Sequence, residues 1–143
     1  MIEAAADDVL GNPSVNLFIS PHGVVQVTST HEQLFSKPYV QTGASFPQQS
    51  VPYQALAGAA AAIGQVLCKQ GVLGYLGIDF VTFWDPVVGA QRLWAVDLNL
   101  RLTSTACSFA LFNFLMGGEV WCFVDCCAWF DCVALNARIG ATA

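Results

Sequence analysis

Two β-prone segments on either side of a short turn place the strongest constraint on the fold of this chain. The segments Gly74–Phe83 and Leu93–Leu100 are rich in apolar, aromatic and β-branched residues, and the turn-forming sequence D-P-V-V-G (85–89) lies between them. This pattern predicts a β-hairpin. If the two strands are symmetric about residue 88, position 79 lies directly opposite position 97.

The polar residues of this hairpin fall on one face. Side chains alternate between the two faces of a strand, so Asp97, Asn99 and Arg101 share one face and the apolar residues between them share the other. Asp79 then meets Asp97, and two like charges in direct opposition destabilise a sheet unless something neutralises them. Carboxylate and amide oxygens suit Mg²⁺, and a neighbouring arginine can hold a phosphate or carboxylate oxygen. The pattern therefore predicts a metal site at Asp79, Asp97 and Asn99 beside an anion-binding Arg101.

A simpler interpretation of the same hairpin stays open. On that interpretation the polar face of the hairpin only meets water. A register slip of one residue would separate Asp79 from Asp97, and Pro86 leaves the type of the turn undecided.

The low number of charged residues restricts the function of the chain. It has 143 residues, of which 55% are hydrophobic and 10% charged, and a net charge of −5. Five basic residues cannot line a phosphate backbone, which excludes a nucleic-acid-binding groove, and no apolar run is long enough to span a membrane. Soluble domains carry about 25% charged residues, so the composition predicts a buried piece of something larger, covered by further sequence or by a partner protein.

The remaining segments predict an α+β arrangement. Tyr53–Gln70 is an alanine-rich helix with Gly71 just beyond its end, and Thr103–Met116 is an apolar helix that Gly117-Gly118 ends. Val15–Ser20 and Val24–Thr30 form a hairpin through S-P-H-G (20–23). Residues 4–13 and 36–52 are predicted loops, the second because it holds three prolines.

The cysteines indicate a reducing compartment. The N-terminus has no basic segment followed by an apolar core, so it does not resemble a signal peptide, and the six cysteines are expected to be reduced thiols of a cytoplasmic protein. Four of them lie in residues 122–132 with spacings that do not fit a zinc site, and buried thiols beside aromatic residues are favoured there.

The order of several motifs resembles a known domain. The sequence G-Y-L-G-I-D-F-V-T-F (74–83) followed by W-A-V-D-L-N-L-R (94–101) resembles the end of an ATP-grasp domain, where one strand carries a metal-binding acid and the next reads acid-x-Asn-x-Arg. Earlier parts of the same domain are similar to I-E-A (2–4) and S-P-H-G-V-V-Q-V-T-S-T-H-E-Q (20–33). The ATP-grasp region of the IQ-motif-containing H protein family in particular resembles I-D-F-V-T-F-W-D-P (78–86), L-W-A-V-D-L-N-L (93–100) and L-F-N-F-L-M-G-G (111–118).

The resemblance implies a fold and a set of site residues. It implies the C-terminal subdomain of an ATP-grasp fold over residues 1–118, a mostly antiparallel sheet with packed helices, followed by a Cys- and Trp-rich tail of unknown structure at 119–143. Asp79, Asp97 and Asn99 occupy its metal-ligand positions for Mg²⁺ or Mn²⁺, Arg101 its catalytic and anion-binding position, and Glu3 a position near ATP.

Two functions follow from this resemblance. One is a non-catalytic or incomplete module that binds ATP and Mg²⁺; the other is part of a ligase that joins a carboxylate to an amine or thiol through an acyl phosphate. Asp97 stands where family members usually have Glu. The resemblance also implies that the family's phosphate-binding lysines and glycine-rich loop belong to a missing N-terminal half-domain, and both departures favour the first function.

His31 and Glu32 are a further candidate pair. A catalytic role is conceivable, but the sequence S-T-H-E-Q (29–33) is interpreted as the start of a loop in which both side chains meet water.

Overall fold

The computed structural model describes residues 6–117. They form a six-stranded antiparallel sheet and two α-helices, which agrees with the α+β class predicted from the sequence. In chain order the elements are β1 (Val9–Gly11), β2 (Pro13–Ile19), β3 (Val25–Lys37), β4 (Val40–Ser45), α1 (Tyr53–Lys69), β5 (Gly74–Asp85), β6 (Ala90–Asn99) and α2 (Ser104–Leu115). Glu3 and the tail from residue 118 onward lie outside the described residues.

Strand β5 organises the sheet. One of its edges pairs with β2 over residues 74–79 and with the short β1 over residues 82–83, and its other edge pairs with β6. Strands β3 and β4 extend the sheet beyond β2. Strands β2 and β5 are therefore interior, and each has one face against α1.

Helix α1 covers the apolar face of the sheet. Its buried residues Leu56 and Ala60 pack in one cluster with side chains from the interior strands, which are Val15, Leu17, Ile19, Leu76, Ile78 and Phe80. The helix ends as the sequence predicts: Gly71 has φ +87°, its N–H donates to the Cys68 carbonyl at 3.0 Å, and the next N–H donates to the Leu67 carbonyl at 3.1 Å. This left-handed cap satisfies carbonyls that the last helical turn leaves unpaired.

Two of the predicted loops contain strands. The prediction of a loop over 36–52 is wrong for Val40–Ser45, which pairs with β3 as β4. The three prolines lie outside this strand and do not interrupt it: Pro38 lies in the preceding turn, Pro47 follows the strand, and Pro52 is the N-cap of α1. The predicted loop over 4–13 likewise contains β1, which pairs with β5 beyond the end of β2.

Helix α2 lies across the polar face of the sheet. The Thr103 hydroxyl caps its N-terminus by accepting from the Ala106 N–H at 3.1 Å. None of its own residues is buried, and large apolar side chains such as Phe114 and Leu115 are exposed. Within residues 6–117, no helix is both long and apolar enough to cross a membrane.

Candidate functional site

A row of four side chains crosses the polar face of the sheet. His31 on β3 lies opposite Ser14 on β2, Ser14 lies opposite Asp79 on β5, and Asp79 lies opposite Asp97 on β6. Residues that are directly opposite in a sheet share a face, so the row brings these groups together away from α1. The pairing of Asp79 with Asp97 is the one that hairpin symmetry predicts.

A bulge in β6 produces this pairing. The loop between the strands is Pro86–Gly89, and Asp85 pairs with Ala90. The register shifts by one residue between Asp79 and Phe80, so Val96 is an extra residue in β6. Because of this shift, the residue opposite Asp79 is Asp97 and not Val96.

Hydrogen bonds join the two carboxylates through one amide. The Asn99 Nδ2 group donates to Asp97 Oδ2 at 2.9 Å and to Asp79 Oδ2 at 3.2 Å. Arg101 Nη2 donates to the other atom of the same amide, Asn99 Oδ1, at 3.1 Å. The four residues predicted from the sequence are therefore one connected cluster, and the Asn99 amide separates the acids from the arginine.

The cluster is open to solvent on one side. Asp97 and Arg101 are exposed, whereas Asp79 and Asn99 are half-buried. Across residues 6–117, no group of three or more His, Cys, Asp or Glu side chains is placed to hold a metal ion. Any cation here would therefore depend on two carboxylates and an amide oxygen, completed by water or by the oxygens of a ligand.

Ser14 is a member of the site that the sequence analysis missed. Its side chain is 2% exposed, and its hydroxyl donates to Asp79 Oδ1 at 2.6 Å. The signal was present in β2, where Ser14 and Asn16 alternate with apolar residues in the period of a strand. The partner of Ser14 is Asp79, 65 residues further along the chain, and it can be identified only when the pairing of β2 with β5 is known.

A second buried network holds α2 against the same face. Asn16 Oδ1 accepts from the Thr103 hydroxyl at 2.6 Å, and Asn16 Nδ2 donates to Ser29 Oγ at 2.9 Å. Gly77 lies below this contact, since a Cβ there would be 2.7 Å from Thr103 Cγ2. These contacts fix the chain that follows Arg101.

His31 and Glu32 do not form a pair, and their interpretation as solvated loop residues is wrong. Both lie in β3, where neighbouring residues point to opposite faces. His31 is 2% exposed beside the Phe46 ring, its Nδ1 has no hydrogen-bond partner, and burial lowers its pKa from 6.5 to about 4. Glu32 accepts from the Asn12 N–H and from Ser50 Oγ, so it ties two loops to the sheet.

The chain matches a family model over residues 1–123, described as IQCH-like, ATP-grasp. It is also 28% identical over 110 residues to IQ motif-containing protein H of Danio rerio, an alignment that covers 76% of this chain and 10% of that protein. It is 31% identical over 101 residues to the L-propargylglycine--L-glutamate ligase of Streptantibioticus cattleyicolor, covering 71% of this chain and 20% of the ligase. The chain thus spans a tenth to a fifth of the length of these curated relatives.

Solved structures show the same fold. The biotin carboxylase of Campylobacter jejuni, in its β,γ-ATP complex, matches 76% of this chain and 23% of its own with a TM-score of 0.60 at 12% identity. The N5-carboxyaminoimidazole synthetase of Staphylococcus aureus, in complex with ADP, matches 68% of this chain and 24% of its own with a TM-score of 0.51 at 11% identity. At these identities the likeness concerns the fold alone.

Proposed function

Because the chain belongs to the IQCH-like ATP-grasp family, we propose that it is a module that binds ATP together with Mg²⁺ or Mn²⁺ at the Asp79–Asp97 cluster. The observation that carries the proposal is the joining of the two opposed carboxylates to Arg101 through one amide. Like charges are placed opposite each other at a cost in stability, and a cation would remove that cost.

The donor chemistry of the cluster fits a small divalent cation. Asp79, Asp97 and Asn99 would hold it through carboxylate and amide oxygens, which are hard ligands. In the structure the Asn99 amide turns its nitrogen toward the acids and its oxygen toward Arg101. To act as a ligand, the amide has to rotate so that its oxygen faces the cation, and Arg101 then loses the acceptor that it has now.

Arg101 would bind phosphate oxygens beside that cation. Its guanidinium is exposed, and its contact with Asn99 places it at the open side of the cluster. Arginine presents paired N–H donors that match the oxygens of phosphate or carboxylate. When bound, Mg²⁺ would supply positive charge that offsets the charge of the phosphate oxygens. Glu3, proposed near the nucleotide by resemblance alone, lies outside the described residues.

The module is proposed to be non-catalytic or incomplete in this chain. Phosphoryl transfer depends almost entirely on groups that position the phosphates and neutralise their charge. Of the basic residues within 6–117, Arg101 is the one that forms a hydrogen bond to the cluster, and one arginine is a small part of such a set. The exposed apolar side chains of α2 support the expectation of a partner protein or a further half-domain.

The second candidate is part of an ATP-dependent ligase that joins a carboxylate to an amine or thiol through an acyl phosphate. The identity of 31% to the L-propargylglycine--L-glutamate ligase favours it. Turnover of ATP by the purified chain with added carboxylate and amine, abolished by Asp97→Ala, would establish this candidate over the first.

Thermal melts of the full chain test the binding proposal. We expect Mn²⁺ to raise the melting temperature of the wild type, and ATP with Mn²⁺ to raise it further. A ligand at a hundredfold excess over its Kd stabilises the folded state by about 2.7 kcal/mol. Asp97→Asn should lose this response. Asp85→Asn is the matched control, because Asp85 lies in the same hairpin but contacts the turn and Arg92. A response to Mn²⁺ that persists in Asp97→Asn would refute the metal site.

A further inference from the structure

Ser14 binds one oxygen of the half-buried Asp79 carboxylate. The serine is 2% exposed, and its hydroxyl lies 2.6 Å from Asp79 Oδ1. The other acceptor near this hydroxyl is the Ile78 carbonyl at 3.3 Å, a longer contact with a neutral group. A hydrogen bond to an ionised carboxylate is about twice as strong as one between neutral groups, so the Ser14 hydroxyl donates to Asp79 Oδ1 in preference to the Ile78 carbonyl.

The second oxygen of Asp79 faces the cluster. Asn99 Nδ2 donates to Asp79 Oδ2 at 3.2 Å and to Asp97 Oδ2 at 2.9 Å, so the Oδ2 atoms of the two acids point toward the same amide. Asp79 therefore offers one oxygen toward Asp97 and has the other committed to the sheet. Each carboxylate oxygen has two lone pairs, so this bond does not by itself block Oδ1, but it fixes the orientation of the carboxylate with Oδ1 toward the sheet. A rotation that presents both oxygens to one cation would strain the bond to a buried hydroxyl.

We propose that Ser14 is a positioning residue that makes Asp79 a single-oxygen ligand and so selects Mg²⁺ or Mn²⁺ over Ca²⁺. The inference rests on the proposed function, because it concerns the same cation. Ca²⁺ takes six to eight oxygens at about 2.3–2.6 Å and accepts both oxygens of a carboxylate. Mg²⁺ takes six in a strict octahedron at about 2.0–2.1 Å and keeps several waters. An aspartate fixed through one oxygen suits the smaller ion.

Competition for Mn²⁺ tests the selection. The probe is the electron paramagnetic resonance signal of free Mn²⁺, titrated with the full-length chain and then displaced by Mg²⁺ or by Ca²⁺. In Ser14→Ala we expect the preference for Mg²⁺ over Ca²⁺ to fall by about tenfold, the lower end of the effect of removing a group that orients a metal ligand. Ser14→Cys nearly retains the side-chain volume but has only a weak donor, so its preference for Mg²⁺ should fall as in Ser14→Ala. Ser14→Thr retains the hydroxyl and should preserve the preference.

Ser29→Ala is the matched control. Ser29 is also buried on this face, at 7% exposure, but its hydroxyl accepts from Asn16 and does not contact either acid. A merely structural role for Ser14 would change stability or overall affinity and leave the ratio of the Mg²⁺ and Ca²⁺ constants unchanged. An unchanged ratio in Ser14→Ala and Ser14→Cys, with Mn²⁺ still bound, overturns the role of Ser14 and leaves the proposed function standing. Failure of the wild type to bind Mn²⁺ overturns both.

Discussion

Asp79 lies directly opposite Asp97 because the extra residue Val96 compensates for the position of the hairpin turn. Counted from the Asp85–Ala90 pair without an interruption, the residue opposite Asp79 would be Val96. The bulge moves the register by one and brings the second acid into place. It also leaves Asp97 and Asn99 on one face, two residues apart, as the proposed site requires.

Deletion of Val96 should therefore preserve the cluster. Without the extra residue, Ala95 still pairs with Phe80 and Asp97 still pairs with Asp79 in a regular ladder. Deletion of Leu98 is the matched control, because it moves Asn99 to the opposite face from Asp97. We expect the Mn²⁺-induced shift in melting temperature to survive the first deletion and to disappear in the second. Equal responses in both deletions would show that the alternation of β6 does not define the site.

The sequence predicts those features that depend on neighbouring residues. Helix α1, its glycine cap and the β5–β6 hairpin follow from periodicity and turn residues. The predicted opposition of Asp79 and Asp97 is correct, although the assumed centre at residue 88 is half a residue from the middle of the loop at 86–89. The bulge supplies that difference, and nothing in the local pattern indicates a bulge at Val96.

Features that depend on distant pairing are not predicted. Strand β4 is not recognised from the sequence, because the prolines on either side of it favour a loop prediction for the whole segment. Strand β1 forms because β5 extends beyond the end of β2 and offers it a partner. Ser14 meets Asp79 and His31 only once β2 has taken its place between β3 and β5. Their roles therefore follow from the order of the strands in the sheet and not from their sequence neighbours.

Asp97→Asn should stabilise the protein in the absence of metal. It removes one of two opposed charges and retains an oxygen that can accept from Asn99, so we expect a gain of roughly 0.2–1 kcal/mol in the free energy of unfolding. Asp85→Asn should have the opposite effect, because it removes the charge that pairs with Arg92 at 3.5 Å. It also weakens the bonds that Oδ1 accepts from the N–H groups of Val87 and Val88 at 2.9 and 3.2 Å, since a charged acceptor binds an N–H more strongly than a neutral one. Urea denaturation in a chelating buffer measures both changes. A loss of stability in Asp97→Asn would contradict the repulsion.

Arg101→Ala should separate nucleotide binding from cation binding. The substitution leaves Asp79, Asp97 and Asn99 in place, so we expect the response to Mn²⁺ alone to persist. The additional stabilisation by ATP should fall, because the exposed guanidinium that meets the phosphates is lost. Arg92→Ala is the control, since Arg92 pairs at 3.5 Å with Asp85 in the same hairpin. A full ATP response in Arg101→Ala, measured by thermal melts, would remove Arg101 from the proposed site.

Gly77→Ala should disturb the start of α2. An added Cβ would lie 2.7 Å from Thr103 Cγ2, and Thr103 both caps the helix and donates to Asn16. We expect a loss of roughly 1–3 kcal/mol in stability, as for other overpacked positions. At Gly43, which is also in a strand, the nearest atom would be Leu34 Cδ1 at 3.8 Å, so Gly43→Ala is expected to be tolerated. Chemical denaturation of the two variants compares them directly, and equal stabilities would contradict the close packing at Gly77.

His31 should make the protein less stable in mild acid. Burial lowers the pKa of the folded-state imidazole from 6.5 to about 4, so between these values the unfolded chain binds more protons than the folded one. The contribution of His31 to stability is therefore fully present above pH 6.5 and is lost as the pH falls toward 4, with an upper bound of about 3 kcal/mol.

His31→Phe removes the titrating group and the unpartnered Nδ1 while keeping an aromatic ring beside Phe46. Its free energy of unfolding should vary less with pH from 6.5 to 4 than that of the wild type. Parallel curves for wild type and His31→Phe across this range would show that His31 is not held neutral by the fold.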